Sequence, residues 1–402
     1  MVTADTTRSI RPAKRTENIK YAVRDVVLLA NEAARSGREM LYLNIGDPNL
    51  FDFAPPEHII EATHQAMLAN KNGYAPSSGI PEARTAVQAE AARKGIQSIC
   101  HVYITSGGSE AIDLALSALV NEGENVLTPS PGYPLYTAVL AKLGAENRPY
   151  YLDEDNEWQP DVDDIASKIN TQTRAIVLIN PNNPTGSMCK RETLEQIIDL
   201  AIRHNIMIFS DEIYDKLPFD GKTHISIASV SQDAKVITFN GLSKAYLVPG
   251  FRIGWGIISG PENDLRDYCE AIQKMERARL SANHPEQYAI KPALEGSQQH
   301  ITEMMQKLTC RRDLTYERLN AIEGITCVKP AGAFYAFPKL DIGISDTDFC
   351  KRVIAETGVV IVPGSGFGQR PGTQHFRVVF LPQEDILDKA FDHIARIASE
   401  YR

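Results

Sequence analysis

One lysine, Lys244, stands out because of the residues on either side of it. It follows an apolar, β-branched run at residues 236–239 that predicts a buried strand. Burial at a strand end lowers the pKa of a lysine and frees its amine to form a Schiff base. Ser243 lies beside it and Arg252 follows, so a hydroxyl and a guanidinium are available for a phosphate. From this stretch alone, the alternative is a solvated surface lysine.

Two further apolar runs also end in polar side chains. Residues 210–214 contain Asp211 and Tyr214, and a carboxylate at the end of a buried strand is costly unless a cation pairs with it. A protonated pyridine nitrogen is one such cation. The alternative is that Asp211 or Glu212 caps the next helix. Residues 180–186 contain two Asn-Pro steps, which stiffen the backbone and can hold an asparagine amide at a fixed point.

Two loops between predicted strands and helices are candidates for contacts with a ligand. Residues 105–110 are small and polar and precede a helix predicted at 111–120, so their backbone N–H groups can approach an anion. An ordinary capping box is the alternative. Tyr133 lies between two prolines and can stack on a flat ring, or simply belong to a rigid loop.

The order of the predicted elements indicates how these residues are positioned. From about residue 102, near-continuous apolar runs alternate with helical stretches, which predicts a mostly parallel sheet covered on both faces. Ligands bind such sheets beyond the carboxyl ends of the strands, where all of these motifs fall. After about residue 279, a helical stretch at 285–319 and several short strands predict a smaller α+β domain. A polar arm at 1–20 and a helix from 26 to about 36 precede them.

Composition excludes several classes of function. The chain has 402 residues, a net charge of -9 and 43% hydrophobic residues, which indicates a soluble protein with no basic face for nucleic acid. The six scattered cysteines favour a reducing, cytoplasmic setting, and no run is long enough to span a membrane. The glycines at 364–368 precede no helix, which argues against a dinucleotide loop. The nine histidines show no metal-binding spacing.

Together these residues resemble the fold-type I aminotransferases of class I/II, which depend on pyridoxal 5′-phosphate (PLP). Bacterial alanine aminotransferases are the most similar group, through the stretches 44–48 and 239–244. The resemblance covers nearly the whole chain. It rests on the order of Tyr74, Gly107, Gly108, Ser109, Tyr133, Asn183, Pro184, Thr185, Gly186, Asp211, Tyr214, Ser243, Lys244, Arg252 and Arg377.

The resemblance implies a role for each of these positions. Lys244 would hold PLP as a Schiff base and then move the proton during transamination, with Asp211 and Tyr214 as the other catalytic residues. Asp211 would pair with the pyridinium, and Tyr133 would stack on the ring. Phosphate contacts would come from Gly108, Ser109, Ser243, Arg252 and, across a homodimer interface, Tyr74. Asn183 and Tyr214 would bind the phenolic oxygen.

The substrate contacts implied by the resemblance centre on Arg377. It would hold the α-carboxylate in a bidentate fork, helped by the Gly46 backbone and Asn183. Tyr21 and Arg24 lie in a segment that can fold over the site in this family, where a cation could meet the second carboxylate of glutamate. A solvated helix position is the alternative for Arg24.

The resemblance also implies a reaction and an architecture. The expected reaction is ping-pong transamination between L-alanine and 2-oxoglutarate, giving pyruvate and L-glutamate. The expected fold is α/β, with a seven-stranded, mostly parallel sheet between helices in the large PLP-binding domain. The expected boundaries are 1–48 for the N-terminal arm and segment joining the small domain, 49–295 for the large domain and 296–402 for the small α+β domain.

Other readings remain at this stage. An aspartate, aromatic or branched-chain aminotransferase, or a PLP-dependent lyase, would share the fold. A non-catalytic regulator would need an added DNA-binding segment, and 20 residues are too few for one. The chain also departs from some relatives at Gly241, where they carry a phosphate-binding serine three residues before the lysine.

Overall fold

The apolar runs of the sequence form the strands of one large sheet and three smaller ones in a computed structural model, which describes residues 10–19, 22–35 and 37–401. The strands are β1 (Leu41–Tyr42), β2 (Ile99–Thr105), β3 (Asn125–Ser130), β4 (Glu146–Asp153), β5 (Gln159–Pro160), β6 (Thr173–Ile179), β7 (Met207–Asp211), β8 (Val236–Gly241), β9 (Gly254–Ser259), β10 (Ile325–Thr326), β11 (Tyr335–Ala336), β12 (Lys339–Leu340), β13 (Val359–Val360), β14 (Val362–Pro363) and β15 (Phe376–Val379).

Helices lie between many of these strands along the chain. The α-helices are α1 (Ala22–Arg35), α2 (Glu57–Leu68), α3 (Pro81–Arg93), α4 (Gly108–Leu119), α5 (Leu135–Leu143), α6 (Val162–Lys168), α7 (Arg191–His204), α8 (Glu262–Ala278), α9 (His284–Gln287), α10 (Ile290–Glu295), α11 (Gln299–Asn320), α12 (Asp346–Thr357) and α13 (Glu384–Ala398). Among the residues described, no helix is both long and apolar enough to cross a membrane.

The large sheet brings the ends of distant strands to one edge. Its strand order is β2-β9-β8-β7-β6-β3-β4-β5. Strands β4, β3, β6, β7 and β8 run parallel, and β9 runs antiparallel to both β2 and β8. Strand β2 therefore points the same way as β8. The carboxyl ends of β2, β3, β6, β7 and β8 meet at one edge, together with the start of β9.

Both faces of this sheet are buried, which explains why its strands read as continuous apolar runs. In β6 the side chains alternate between two cores: Ile176 and Leu178 pack on one face, and Ala175, Val177 and Ile179 pack on the other. This alternation follows from the two-residue period of a strand. Helices on both sides cover these faces, as the apolar pattern predicts.

The prediction of a mostly parallel α/β sheet between helices is confirmed, with two corrections. The sheet has eight strands rather than seven, because β5 adds a two-residue strand that pairs antiparallel with the end of β4. A strand of only two residues is too short to show a periodic pattern in the sequence. The single helical stretch predicted at 285–319 is wrong: it is divided into α9, α10 and α11. Gly296 ends α10 in an extended backbone conformation.

The N-terminal segment joins the smaller, C-terminal part of the chain. Strand β1 pairs in parallel with β13, with Leu41 opposite Val359. The other short strands form the sheets β11-β15-β14 and β10-β12 beside α11, α12 and α13. The domain boundaries at residues 48 and 295 stay a prediction. Arg312 of α11 is buried and donates to the Asp220 carboxylate at 2.7 and 2.8 Å, which ties α11 to the segment between β7 and β8.

Candidate active site

A cavity of about 520 Å³ lies at the edge of the large sheet where the carboxyl ends meet. Most of the residues that the sequence predicts for the site line it, although they come from well-separated parts of the chain. They are Gly46, Gly108, Ser109, Tyr133, Asn183, Asp211, Tyr214, Ser243, Lys244, Arg252 and Arg377.

Lys244 lies three residues beyond the end of β8, and its amine is inside the cavity. Its Nζ donates a hydrogen bond to the Gly46 carbonyl oxygen at 2.8 Å. Burial lowers the pKa of Lys244 from 10.5 to about 8, and the nearby guanidinium groups of Arg377 and Arg252 act in the same direction. Roughly a tenth of the amine is therefore neutral at pH 7, far more than for an ordinary lysine, and the neutral amine is the nucleophilic form.

Asp211 is the last residue of β7, with only 6% of its surface exposed. Its oxygens accept hydrogen bonds from the Tyr136 hydroxyl and from the Ile213 amide, both at 3.3 Å. Burial nevertheless raises the pKa of Asp211 from 3.8 to about 6. These two neutral donors do not compensate for lost hydration, so a cation entering the cavity would find a strong partner here.

The start of α4 forms an anion site with a neighbouring guanidinium. Gly107, the N-cap residue of this helix, has φ +83° and no side chain that could cap the helix. The first backbone N–H groups, at Gly108 and Ser109, are therefore left for a ligand. Arg252 lies against this turn: a Cβ on Gly107 would lie 2.3 Å from its Nη2. At Gly254, a Cβ would lie 2.3 Å from the Gly108 nitrogen, so the close approach of β9 requires glycine there.

The departure at Gly241 has a steric reason. A Cβ there would lie 2.7 Å from the Ile253 carbonyl oxygen and 3.0 Å from the Gly254 Cα. The backbone of β9 therefore leaves no room for a serine side chain at this position. In this chain Ser243, which lines the cavity, is the hydroxyl available next to the lysine.

Arg377 projects from β15 and is held on two sides. Its Nη1 donates to the Asn183 Oδ1 at 3.0 Å, and its Nη2 donates to the Asn44 carbonyl oxygen. The guanidinium is buried. A guanidinium whose plane is fixed in this way suits bidentate recognition of a carboxylate.

Sequence reasoning missed two aromatic residues of the site. Tyr335 lines the cavity, and its hydroxyl oxygen is 2.8 Å from that of Tyr214. Its stretch, 333–337, reads only as an apolar strand. Tyr136, which donates to Asp211, lies three residues after the half-buried Tyr133 and reads as a core position of α5. In the sequence, both tyrosines show only the pattern of buried residues.

Three predicted residues are not brought into the cavity. Tyr74 is 84% exposed, on the loop between α2 and α3. Tyr21 and the side chain of Arg24 lie outside the described part of the chain. The contacts expected of these three residues stay predictions.

A second cavity, of about 620 Å³, shares Tyr133 with the first and lies between α5, α12 and the loop after β14. Among the described residues that line it, Lys351 is the one ionic side chain, and burial raises the pKa of the Cys350 thiol well above 9.0. The smaller cavity instead combines a lysine, two arginines and two aspartates. The reactive groups therefore belong to the smaller cavity.

The buried Asp211 carboxylate should make the ligand-free chain less stable at pH 8. The pKa of Asp211 in the folded chain is about 6, above the ordinary 3.8. The free-energy cost of burying the ionised carboxylate is therefore complete above pH 6 and disappears as the pH falls towards 3.8. We expect Asp211→Asn to raise the free energy of unfolding at pH 8 by on the order of 3 kcal/mol, and by roughly half as much at pH 5. Thermal unfolding of the ligand-free proteins at the two pH values measures both differences.

Asp220→Asn is the matched control, because hydrogen bonds from Arg312 lower the pKa of Asp220 below 3.8. That variant should lose stability at pH 8. A ligand-free Asp211→Asn protein that is no more stable than the wild type at pH 8 would contradict the analysis of Asp211.

Comparison with known proteins identifies the family. The model of the family "Aminotransferase class I and II" matches residues 38–394. A glutamate-pyruvate aminotransferase, AlaA, of Haemophilus influenzae is 41% identical over 96% of this chain and 97% of its own length. AlaA of Escherichia coli K12 is 39% identical over 98% of both chains.

A solved structure supports the same family assignment as these sequences. The alanine aminotransferase from Pyrococcus furiosus matches with a TM-score of 0.94 and 43% identity, covering 97% of this chain and all (100%) of its own. The resemblance read from the motifs is confirmed. The chain belongs to the class I and II aminotransferases and is a PLP-dependent transaminase.

Proposed function

We propose that this aminotransferase transfers an amino group between L-alanine and 2-oxoglutarate, giving pyruvate and L-glutamate by ping-pong chemistry. One observation carries the proposal: Lys244 and Arg377 line the same cavity. They are close enough for the charge of the Arg377 guanidinium to help lower the pKa of Lys244. Lys244 can move a proton, and Arg377 can hold a carboxylate. The alanine preference is supported by the names of the similar proteins from Haemophilus influenzae, Escherichia coli and Pyrococcus furiosus.

The residues of the cavity fit PLP. The uncapped start of α4, with the Gly108 and Ser109 amides, suits the phosphate together with Ser243 and Arg252. Burial raises the pKa of Asp211, and a pyridinium nitrogen would supply a cation that stabilises its ionised form. When bound, PLP supplies an electron sink for the charge that develops at the substrate α-carbon.

The remaining cofactor contacts fall on three side chains of the cavity wall. Asn183 and Tyr214 line the cavity beside Asp211 and would hold the phenolic oxygen of PLP. Tyr133, half-buried at the cavity wall, would stack on the ring.

Lys244 would hold PLP covalently and then act as the base and acid of the reaction. With a pKa of about 8, it is close enough to neutrality to take up and return a proton. Its hydrogen bond to the Gly46 carbonyl keeps the amine beside the backbone segment proposed to bind the substrate.

Arg377 would hold the α-carboxylate that every amino-acid substrate shares, with the Gly46 backbone and Asn183 beside it. Glutamate brings a second carboxylate, and burying it without a partner is costly. Tyr21 and Arg24 are the proposed partners for it, because they are polar and lie in the N-terminal segment that joins the small domain.

The active form would be a cytoplasmic homodimer. Tyr74 is exposed in one subunit, and its loop is anchored by the Arg279 guanidinium, which donates to the Ser77 carbonyl oxygen at 3.2 Å. A large exposed tyrosine on an anchored loop suits a contact with the phosphate in a second subunit. All six cysteines are free, which suits a reducing compartment.

Borohydride reduction of the PLP-loaded enzyme should attach the cofactor to Lys244. The amine with the lowered pKa is the one able to form the Schiff base, and peptide mapping would find the label. Lys351→Ala, a lysine of the neighbouring cavity, is the matched control and should still be labelled at Lys244. A label on another lysine in the wild-type enzyme would refute the assignment.

Alanine should be the preferred amino donor among alanine, aspartate, valine and phenylalanine, each tested with 2-oxoglutarate. Discrimination in an apolar pocket is about 1–3 kcal/mol per methylene, so measurable activity on other small amino acids is expected. The measurement is kcat/KM for each donor. Arg24→Gln should raise KM for 2-oxoglutarate and leave KM for alanine unchanged.

If aspartate or phenylalanine exceeds alanine tenfold, the proposed substrate is wrong and the reaction class remains. If Arg24→Gln leaves both KM values unchanged, a different residue meets the second carboxylate.

Hybrid dimers test whether the sites are shared. Tyr74→Phe and Lys244→Ala subunits should each be inactive or nearly so alone, and mixing them should restore activity. Each hybrid then contains one site with both Tyr74 and Lys244. Exchange of subunits must be shown separately, and exchange without recovery would exclude a shared site.

A further inference from the structure

We propose that Tyr335 is a positioning residue of this aminotransferase, acting on Tyr214 through its hydroxyl and on Arg377 through its ring. The inference rests on the proposed function, because it uses the roles proposed for those two residues. Tyr335 itself belongs to the small domain, whereas Tyr214 follows β7 of the large domain. One side chain therefore reaches the cofactor side and the substrate side of the cavity.

The hydroxyl contact is short and buried. The Tyr335 and Tyr214 oxygens are 2.8 Å apart, and the two side chains are 2% and 4% exposed. Their rings meet edge to face at 5.6 Å. Burial, and next the presence of Tyr335, raise the pKa of Tyr214 well above 10.0, so the phenol keeps its proton.

Each phenol has one proton, which makes the direction of this hydrogen bond depend on the ligand. If Tyr214 donates its proton to an acceptor in the cavity, it cannot also donate to Tyr335. The 2.8 Å contact is then kept only if Tyr335 donates to Tyr214. A phenol that accepts a hydrogen bond is a better donor in turn, because hydrogen bonds in a chain polarise one another. Tyr335 would thus direct Tyr214 towards the phenolic oxygen of PLP and strengthen its hydrogen bond.

The strand pairing explains how the same side chain reaches Arg377. In the antiparallel pair of β11 and β15, Tyr335 is opposite Val379. Arg377 lies two residues before Val379 and is the diagonal neighbour of Tyr335 on that face. The centre of its guanidinium is 4.8 Å from the centroid of the Tyr335 ring and 4.5 Å from that of Phe367. Aromatic faces at this distance attract the cation and fix its plane.

A third contact joins Tyr335 to the backbone near Lys244. A Cβ on Gly46 would lie 2.2 Å from the Tyr335 hydroxyl oxygen, so the hydroxyl packs directly against this glycine. The Gly46 carbonyl is the acceptor for Lys244. Among the described residues, the charged groups that line the cavity around this cluster are Lys244, Arg252, Arg377, Asp47 and Asp211.

Two substitutions separate the hydroxyl from the ring. Tyr335→Phe removes only the hydroxyl, and Tyr335→Leu also removes the aromatic face beside Arg377. We expect Tyr335→Phe to lower kcat/KM roughly three- to tenfold, the value of one hydrogen bond, with little change in KM. Tyr335→Leu should additionally raise KM for both amino-acid substrates. Tyr150→Phe is the matched control, because it loses a buried hydroxyl that donates to the Val177 carbonyl, and neither residue lines the cavity.

The decisive measurement is a pH titration of the visible absorbance of the PLP-loaded enzyme. A hydrogen bond donated to the phenolic oxygen favours its ionised form, so losing or weakening that bond should raise the pH midpoint. Tyr214→Phe should raise it, and Tyr335→Phe should raise it by less. In the double variant Tyr335→Phe should add nothing to Tyr214→Phe, because its effect passes through the missing hydroxyl.

The outcomes distinguish this inference from the proposed function. If the pH midpoint shifts in Tyr214→Phe but not in Tyr335→Phe, the proposed function is retained and only the inference about Tyr335 is overturned. Full additivity in the double variant also overturns it, since Tyr335 would then act independently. An unmoved midpoint in Tyr214→Phe removes the proposed role of Tyr214 and the inference with it. The affinity of the cofactor-free variants for PLP, measured by fluorescence titration, verifies that the site is intact.

Discussion

Two ionisable groups, Lys244 and Asp211, are desolvated in one cavity, and the rest of the site depends on that burial. Desolvation lowers the pKa of the lysine to about 8 and raises that of the aspartate to about 6. The two values converge on neutrality from opposite sides. In this range a proton can be gained or lost at small cost, which general acid-base catalysis needs. A cavity open to bulk water would leave the lysine charged and the aspartate ionised without a driving force to bind a cation.

The segment that carries Asp211 is held in place by neighbouring charged residues that form ion pairs. Asp215, four residues later, forms a buried ion pair with Lys94. Lys216 pairs with Glu90 at 2.6 Å. Removing one member of such a pair leaves an uncompensated charge and costs several kcal/mol. The same short segment thus carries ion pairs that hold it in place, together with the Asp211 carboxylate, which lines the cavity and whose raised pKa means that a cation would stabilise its ionised form.

The sequence predicts the positions that a strand delivers to the sheet edge and misses those that depend on tertiary packing. Asp211 and Lys244 were predictable because long apolar runs precede them and because ligands bind parallel sheets at the carboxyl ends of the strands. Tyr335 was not, since its neighbourhood depends on how β11 pairs with β15, and a two-residue strand carries no such information. Gly241 showed a departure from relatives, and only the approach of β9 explains it. Tyr74 faces solvent, so the cavity itself does not account for the phosphate contact proposed for it.

The order of the strands also constrains the synthesis of the chain. Strand β2 is at the edge of the large sheet, and its partner there is β9, which is made about 150 residues later (Ile99 and Gly254 begin the two strands). Until β9 has left the ribosome, β2 and β8 both present unpaired backbone edges, which are templates for aggregation. Arg377 emerges later still. A nascent chain therefore has a long interval in which chaperones would have to protect its edges, and a fragment released before β15 would lack the guanidinium proposed to hold the substrate.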